Sequence, residues 1–233
     1  SDVCSSDLLA FIQQFEESFV RREIAKASEE HRSDSLLCYK STIFTGFYER
    51  LISFMDFEDA AVAMIDDEQQ DAVQALFERL ADLYINYIDH IAAYFKVDLL
   101  ELHDDWGSQM APFMAPSVIE EMVIPHLKRV VDRVHEHDMC FELHSCGKIE
   151  CLVPLMIDAG VDLWMGQNIN DKARCIRDYG DKIVIECEAP EVGKDATDDQ
   201  VWEAAEAWAQ THLIPGKPCC LSIYSAAEKN PST

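Results

Sequence analysis

The chain alternates between short segments rich in aliphatic, β-branched and aromatic residues and longer segments in which apolar residues recur every three or four positions. Short segments of this kind are typical of buried strands, and the longer periodic ones of amphipathic helices. Six strands are predicted, over residues 36–45, 97–102, 140–143, 161–165, 182–187 and 219–224. Helices are predicted before and between them, over residues 9–31, 47–65, 68–95, 117–137, 149–159, 171–179 and 197–212.

Signals at the helix ends refine these boundaries. Ser117-Val-Ile-Glu120 has the pattern of a capping box, and Thr197 to Gln200 is predicted to cap the last helix. Pro125 lies inside the predicted helix 117–137, and proline lacks the N–H that a helix interior needs, so we expect a kink or a division there. Gly160 is expected to end the helix before it.

The alternation of strands and helices predicts an α/β fold with a parallel sheet. A doubly wound sheet and a (β/α)8 TIM barrel both produce this alternation. No glycine-rich phosphate loop follows a strand, which weakens the nucleotide-binding version of the doubly wound fold. Polar residues instead cluster after strand ends, where a barrel keeps its active site: Asp104-Asp105, His144 to Cys146, Gln167-Asn168 and Glu186 to Glu188. The barrel is therefore favoured.

Composition narrows the possible partners. The 233 residues suffice for one large domain, and no apolar run approaches the length of about 18 residues that crosses a membrane. The chain has 19 Lys and Arg against 44 Asp and Glu, a net charge of −25 that repels nucleic acid and anionic lipid. The 9 cysteines form no CxxC pair, which indicates a reducing cytoplasm rather than a disulfide framework.

Residues 1–8 match the translation of a common sequencing adapter, and the chain has no initiator Met. We expect an environmental (metagenomic) gene fragment whose first residues are an artefact, and we exclude them and Cys4 from the fold. Residues 9–233 are predicted to form a single domain.

His144 and Cys146 follow directly on the predicted strand 140–143. Side chains two residues apart on an extended chain point to the same face, so this imidazole and this thiol are expected to lie together. Both are preferred ligands of Zn²⁺, and Gly147 lets the backbone turn away behind them. The pair is half of a metal site, because zinc takes three or four protein ligands; without further ligands it has no metal-binding role.

Asp104 and Asp105, at the end of another strand, are candidate catalytic residues, able to bind substrate, ligate a metal or act as acid and base. Only one of two consecutive strand residues can face the barrel interior, so the other is expected to cap the next turn. Trp106 and Gln109 are expected to flank the same pocket and bind substrate. For Trp106, packing at the barrel mouth is the alternative.

Two further residues are candidates for substrate binding. Tyr48 follows Gly46 near a strand end, and Gln167 belongs to the polar cluster after strand 161–165. Other histidines are expected at the surface or in packing rather than as ligands: His103, His126, His135 and His137. Three cysteines are expected to be small core or semi-buried residues: Cys140, Cys151 and Cys175.

Several of these segments together resemble the uroporphyrinogen decarboxylase (URO-D) superfamily. They are Asp104-Asp-Trp-Gly-Ser-Gln109, Ile124-Pro-His-Leu-Lys128, Leu143-His-Ser-Cys-Gly147, Trp164-Met-Gly-Gln-Asn168 and Gly216-Lys-Pro218. The likeness covers roughly residues 36–226 and is strongest to the branch with cobalamin-dependent (corrinoid) methyltransferases. It implies a (β/α)8 TIM barrel of the uroporphyrinogen decarboxylase type, present here as a partial barrel that lacks about two N-terminal βα units.

The resemblance also implies a function. It implies a methyltransferase that moves a methyl group between a corrinoid (methylcobalamin) carried by a partner protein and a thiol or other acceptor. Zinc at His144 and Cys146 would activate the acceptor. The alternatives are a uroporphyrinogen decarboxylase of porphyrin and heme biosynthesis, and a non-catalytic relative that binds a corrinoid or tetrapyrrole.

One ligand of the family pattern is missing from its expected place. Zinc-binding relatives take a third ligand, a cysteine, from the end of the last strand, and the matching residues 223–225 contain none. Three possibilities stay open: Cys220 serves instead, a carboxylate such as Glu186 or Glu188 replaces it, or the zinc site is degraded.

Overall fold

The computed structural model describes residues 40–95, 97–193 and 195–222. Several predictions fall outside the described residues. They are the adapter segment 1–8, the helix 9–31, residues 36–39 and 223–224 of the outer strands, and the expected third-ligand position at 223–225.

Strands and helices alternate along the described residues. The strands are β1 (Lys40–Ile43), β2 (Leu99–His103), β3 (Cys140–Ser145), β4 (Leu163–Gly166), β5 (Val184–Glu188) and β6 (Cys219–Ser222). The helices are α1 (Phe47–Phe54), α2 (Phe57–Ala63), α3 (Gln70–Phe95), α4 (Pro116–Met122), α5 (Ile124–Glu136), α6 (Val153–Ala159), α7 (Lys172–Tyr179) and α8 (Asp198–His212). A 3₁₀ turn, Glu150–Leu152, leads into α6.

The six strands form one sheet in which every neighbouring pair is parallel and the spatial order follows the chain order, β1 to β6. In a doubly wound sheet the strand order reverses at a switch point, whereas the wall of a (β/α)8 barrel keeps the chain order. The α/β prediction is confirmed, and the architecture is that of a partial TIM barrel.

The two sides of the sheet differ in chemistry because alternate residues face opposite ways. The side covered by helices is apolar and fully buried: Leu100, Leu102, Phe141, Leu143, Trp164 and Ile185. The inner side of the barrel wall carries buried carboxylates instead: Glu101, Glu142 and Glu186. Burial of the helix-facing side supplies the hydrophobic core. The inner side is therefore where polar chemistry concentrates.

A charged layer, which we call the lysine layer, crosses the inner side of the sheet and consists of Lys40, Glu101 and Glu142. The Lys40 Nζ lies 2.7 Å from Glu101 Oε2 and 2.8 Å from Glu142 Oε1. Burial by itself lowers the pKa of Lys40, but hydrogen bonds and attraction to the two carboxylates outweigh it and raise that pKa. Lys40 is thus the counter-ion of the two buried carboxylates, and it lies within the sheet.

Two predicted helices are divided in the structure. The helix predicted over 47–65 is broken into α1 and α2, because the Asp56 side chain accepts a hydrogen bond from the Asp59 N–H and begins a new helix. The division expected at Pro125 is confirmed: α4 ends at Met122, and α5 carries this proline in its first turn.

The predicted helix caps have different outcomes. The capping box predicted for Ser117 and Glu120 is wrong, because α4 begins one residue earlier, at Pro116, and no side chain caps it. The capping box of Thr197 and Gln200 at the start of α8 is confirmed.

Among the described helices, none combines the length and apolar character needed to cross a bilayer.

Candidate metal centre

The candidate site lies where β2 and β3 end side by side. His103 and His144 pair directly across the two strands. Their imidazole rings are stacked, with centroids 4.2 Å apart and planes 11° from parallel. Two residues further on, Asp105 and Cys146 extend from the same two strands toward the same side. We call these four residues the imidazole cluster.

Hydrogen bonds continue the pairing of the two chains beyond the strands. The Asp104 N–H donates to the His144 carbonyl at 3.0 Å, and the Trp106 N–H donates to Ser145 Oγ at 3.0 Å. The Cys146 N–H donates to Asp105 Oδ1 at 2.7 Å. These bonds fix the distance between the two halves of the imidazole cluster.

Two glycines let the chains approach closely behind the imidazole cluster. Gly147 has φ +100°, and a Cβ there would lie 2.3 Å from the Gly107 carbonyl carbon. A Cβ on Gly107 would in turn lie 2.5 Å from Ile149 Cγ2. A side chain at Gly147 would therefore push the two chains apart, which explains the glycine that follows the His-x-Cys sequence.

The imidazole cluster has the composition of a zinc site, and one of its pairs, His144 with Cys146, has the spacing. Each of its residues offers one ligand atom, and the four atoms lie within 4.8 Å of one another. Cys146 Sγ is 3.4 Å from His144 Nε2. Zinc–nitrogen and zinc–sulfur bonds of about 2.0 and 2.3 Å at a tetrahedral angle require about 3.5 Å between these atoms. Imidazole, thiolate and carboxylate are all ligands of Zn²⁺, so the residues fit this metal.

The protonation of two members of the imidazole cluster depends on burial. Burial and the neighbouring His103 lower the pKa of His144, so its imidazole is neutral at pH 7, the form that binds metals. Burial and the Asp105 carboxylate raise the pKa of Cys146 to about 11. Its thiol therefore keeps its proton at neutral pH until a cation displaces it.

A carboxylate from α1 contacts the imidazole cluster from outside. The Glu49 Oε2 lies 3.2 Å from His103 Nδ1, while His103 Nε2 is 3.9 Å from Asp105 Oδ1. Burial and the nearby Asp104 raise the pKa of Glu49 to about 7. The sequence analysis did not identify this residue, which is 54 positions away from His103.

The structure separates the two aspartates that were predicted together as catalytic. Asp105 belongs to the imidazole cluster, whereas Asp104 is fully buried on the opposite side. Its carboxylate accepts hydrogen bonds from the N–H groups of residues 47, 48 and 49 and from Trp106 Nε1. Asp104 thus holds the first turn of α1, and its catalytic role stays a prediction.

Two aromatic residues predicted to bind substrate are in the core instead. Trp106 and Tyr48 are both 0% exposed. The Trp106 Nε1–H donates a hydrogen bond to Asp104 Oδ2, and the Tyr48 ring packs against Phe57 and Phe113. Both side chains are packed in this structure, which is the alternative named for Trp106, and substrate binding by the two residues stays a prediction.

The two glutamines lie near the imidazole cluster, and one of them supports it. Gln167 Oε1 accepts a hydrogen bond from the Gly147 N–H at 2.9 Å and thereby holds the turn after Cys146. Gln109 is exposed and donates to the same oxygen at 3.3 Å. A substrate-binding role for this pair stays a prediction.

The two residues suggested as the third zinc ligand lie outside the imidazole cluster. Cys220 pairs with Glu186 across β6 and β5. Burial raises the pKa of the Cys220 thiol, the nearby Glu186 and Glu142 raise it further, and Lys40 lowers it. Glu142 precedes His144 by two residues, so this environment is one layer further toward the amino ends of the strands. Cys220 or Glu186 as a third ligand therefore stays a prediction.

His103 was expected at the surface or in packing rather than as a ligand, and the structure brings it into the imidazole cluster. The strand alternation that joins His144 to Cys146 also joins His103 to Asp105, so the signal was present. The missing information was the register of β2 on β3, which puts the two pairs side by side.

The fold and the imidazole cluster define a TIM-barrel protein with a candidate metal centre at the carboxyl ends of its strands. The family described as uroporphyrinogen decarboxylase (URO-D) matches residues 51–186, more than half of the chain. The chain belongs to this family, which confirms the resemblance seen in the sequence. No curated protein matches the sequence.

A solved structure shows the same fold. The chain is similar to a methyltransferase from Methanosarcina mazei, with a TM-score of 0.63 and 15% identity over 86% of this chain and 56% of that chain. It therefore spans little more than half the length of that protein. Two others are more distant: an N-acetyl-D-glucosamine-6-phosphate deacetylase from Mycobacterium smegmatis (TM-score 0.37, 13% identity, 87% and 52% covered) and a sugar phosphate isomerase/epimerase from Parabacteroides distasonis (0.36, 11%, 93% and 88%).

Proposed function

We propose that this chain is a corrinoid-dependent methyltransferase in which zinc, held by the imidazole cluster, activates a thiol acceptor. The methyl group would come from a corrinoid carried by a partner protein, in the cytoplasm. The observation that carries the proposal is the set of four ligand atoms within 4.8 Å at the strand ends. Membership of the family and the likeness in fold to a methyltransferase support it.

We assign three residues of the imidazole cluster as metal ligands and the fourth, Asp105, as a group that acts on the substrate. His103, His144 and Cys146 would hold the metal and leave one position of a tetrahedral site for the substrate. Zinc bound there supplies a Lewis acid that lowers the pKa of an acceptor thiol and keeps it as a thiolate. Asp105 is held by the Cys146 N–H, and its Oδ1 lies near His103 and His144, where it would face an acceptor bound to the metal.

Asp105 has the location to receive the proton that the acceptor thiol loses. Its Oδ1 lies 3.9 Å from His103 Nε2 and 4.0 Å from His144 Nε2, so it faces the centre of the imidazole cluster. The step is a transfer of the S–H proton to the carboxylate, after which the thiolate sulfur attacks the methyl carbon and the corrinoid leaves with the bonding electrons.

Family membership also favours a second candidate, a uroporphyrinogen decarboxylase. The groups around the imidazole cluster argue against it, because Glu49 and Asp105 would repel a polycarboxylate substrate. Turnover of uroporphyrinogen by the chain would favour the decarboxylase.

Metal content and methyl transfer test the proposal together. The purified chain is expected to contain about one zinc, measured by mass spectrometry, and to methylate a thiol with methylcobalamin as donor. The Cys146→Ala variant is expected to lose both properties. A folded chain that takes up no zinc, or that transfers methyl groups equally well after Cys146→Ala, would contradict the proposal.

A further inference from the structure

We infer that Glu49 is a positioning residue for the metal centre, which holds His103 in the tautomer that presents its Nε2 to the imidazole cluster. The inference rests on the metal site of the proposed function. It assigns to that site a residue of α1, which lies outside the strands that carry the ligands.

The main chain around Glu49 is fixed against the end of β2. The Gly46 N–H donates to the His103 carbonyl at 2.7 Å, and a Cβ on Gly46 would lie 2.4 Å from Asp104 Cβ. The Glu49 N–H itself donates to Asp104 Oδ1 at 2.9 Å. Two hydrogen bonds and one close approach therefore fix the first turn of α1 against the end of β2, and they fix the position of the Glu49 Cα.

The contact between Glu49 and His103 selects one tautomer. The ionised carboxylate of Glu49 only accepts hydrogen bonds, so in that form the His103 Nδ1 at 3.2 Å carries the hydrogen. A neutral imidazole has one N–H, and its lone pair is then on Nε2, the nitrogen that faces Asp105. Metal-binding histidines commonly donate their second N–H to a carboxylate in this way, which fixes the ring and raises its basicity.

The second histidine of the imidazole cluster has no such support. Within the described part of the chain, the His144 Nδ1 is buried and has no hydrogen-bond partner. The His144 ring is held instead by its stacking on His103, 4.2 Å away, and by the contact of its Nε2 with Cys146 Sγ at 3.4 Å. Glu49 therefore orients two rings at once, His103 by a hydrogen bond and His144 through the stack.

Zinc affinity tests the inference directly. We expect Glu49→Ala to weaken zinc binding about 10- to 100-fold in competition with a chelator, the usual cost of losing an outer-sphere partner. Glu49→Gln keeps an oxygen that accepts the Nδ1 hydrogen, and should restore most of the affinity. Glu58→Ala, an exposed glutamate in the first turn of α2, is the matched control and should leave the affinity unchanged.

A double-mutant cycle separates positioning from a general structural effect. If Glu49 acts through His103, then Glu49→Ala causes no further loss of zinc affinity in a His103→Ala background. The Co²⁺-loaded chain gives a second readout, because Glu49→Ala should change the visible absorption bands of the metal while the thermal unfolding temperature matches that of Glu49→Gln.

The possible failures are distinguishable. Unchanged zinc affinity in Glu49→Ala, or an equal loss with and without His103, overturns the role of Glu49 and leaves the metal site intact. A chain that binds neither zinc nor cobalt overturns the proposed function and this inference with it.

Discussion

Two polar groups lie on the inner side of the barrel wall, and they balance their charges differently. In the lysine layer, Lys40 contacts both Glu101 and Glu142 within 3 Å, so the cation is part of the protein. In the imidazole cluster, the ion pairs formed by Asp105 among the described residues are with His103 and His144 alone. Since the pKa of His144 is lowered, this ring supplies no positive charge at neutral pH.

The difference between the two groups indicates their roles. A buried carboxylate needs a positive charge nearby. The lysine layer contains that charge in Lys40 and therefore needs no bound ligand. A group of carboxylate, thiol and imidazole is completed by a divalent cation, which accepts all three kinds of donor. We therefore assign stability to the lysine layer and metal binding to the imidazole cluster.

The largest expected effect is the loss of metal when a ligand of the imidazole cluster is removed. Structural zinc sites gain about 10–16 kcal/mol from four ligands, so each ligand contributes roughly 3 kcal/mol, or about a hundredfold in affinity. We expect Cys146→Ala to weaken zinc binding by about that factor or more, measured by chelator competition.

Cys151→Ala is the control for Cys146→Ala, since Cys151 is exposed and lies outside the imidazole cluster. Equal zinc affinity of the two variants would remove the metal site from the strand ends.

The next effect concerns chemistry rather than binding. Asp105→Asn keeps an oxygen for the Cys146 N–H but removes the base, so zinc should stay bound while methyl transfer to a thiol slows about 100-fold at pH 7. Raising the pH should restore part of the rate, because the thiol then ionises without a base. A variant that loses its zinc would show instead that Asp105 is a firm ligand.

The lysine layer should respond in the opposite way. Lys40→Met leaves Glu101 and Glu142 without their counter-ion, and we expect a loss of about 2 kcal/mol in the free energy of unfolding. Zinc affinity should not change. Urea unfolding and chelator competition on the same samples measure the two quantities.

Two further variants sharpen this test of the lysine layer. Adding Glu142→Gln should recover part of the stability that Lys40→Met loses, because it removes the uncompensated charge. Lys128→Met breaks an exposed pair with Asp132 and should cost less than about 0.5 kcal/mol. A large loss of zinc in Lys40→Met would show that the two groups are not independent.

The sequence predicted much of the fold because the relevant signals are local. Alternating strands and helices, the stop at Gly160 and the Thr197 cap depend on neighbouring residues, and the structure has them in place. The proximity of His144 and Cys146 also follows from one local rule, the two-residue period of a strand.

The rest of the site depends on contacts that are distant in sequence. His103 joins His144 only through the register of β2 on β3, and Glu49 reaches His103 across 54 positions. Tyr48 and Trp106 show another limit of the sequence: aromatic residues near strand ends suggested a pocket, yet both are buried, Tyr48 beside Phe113 and Trp106 on Asp104. Burial of this kind is set by packing, which a single sequence does not specify.

The smallest expected effect is the pH dependence of zinc binding. The pKa of Cys146 is raised to about 11, so between pH 7 and 9 the free thiol is protonated and zinc must displace this proton. Zinc displaces no proton from His144, because the lowered pKa of this imidazole leaves it neutral in this pH range. Zinc affinity should therefore rise about tenfold for each pH unit, measured by calorimetry in two buffers that differ in ionisation enthalpy. In Cys146→Asp the ligand is already ionised, so the slope should vanish; a flat profile in the unmodified chain would exclude Cys146 as a ligand and leave the imidazole cluster as a hydrogen-bonded group.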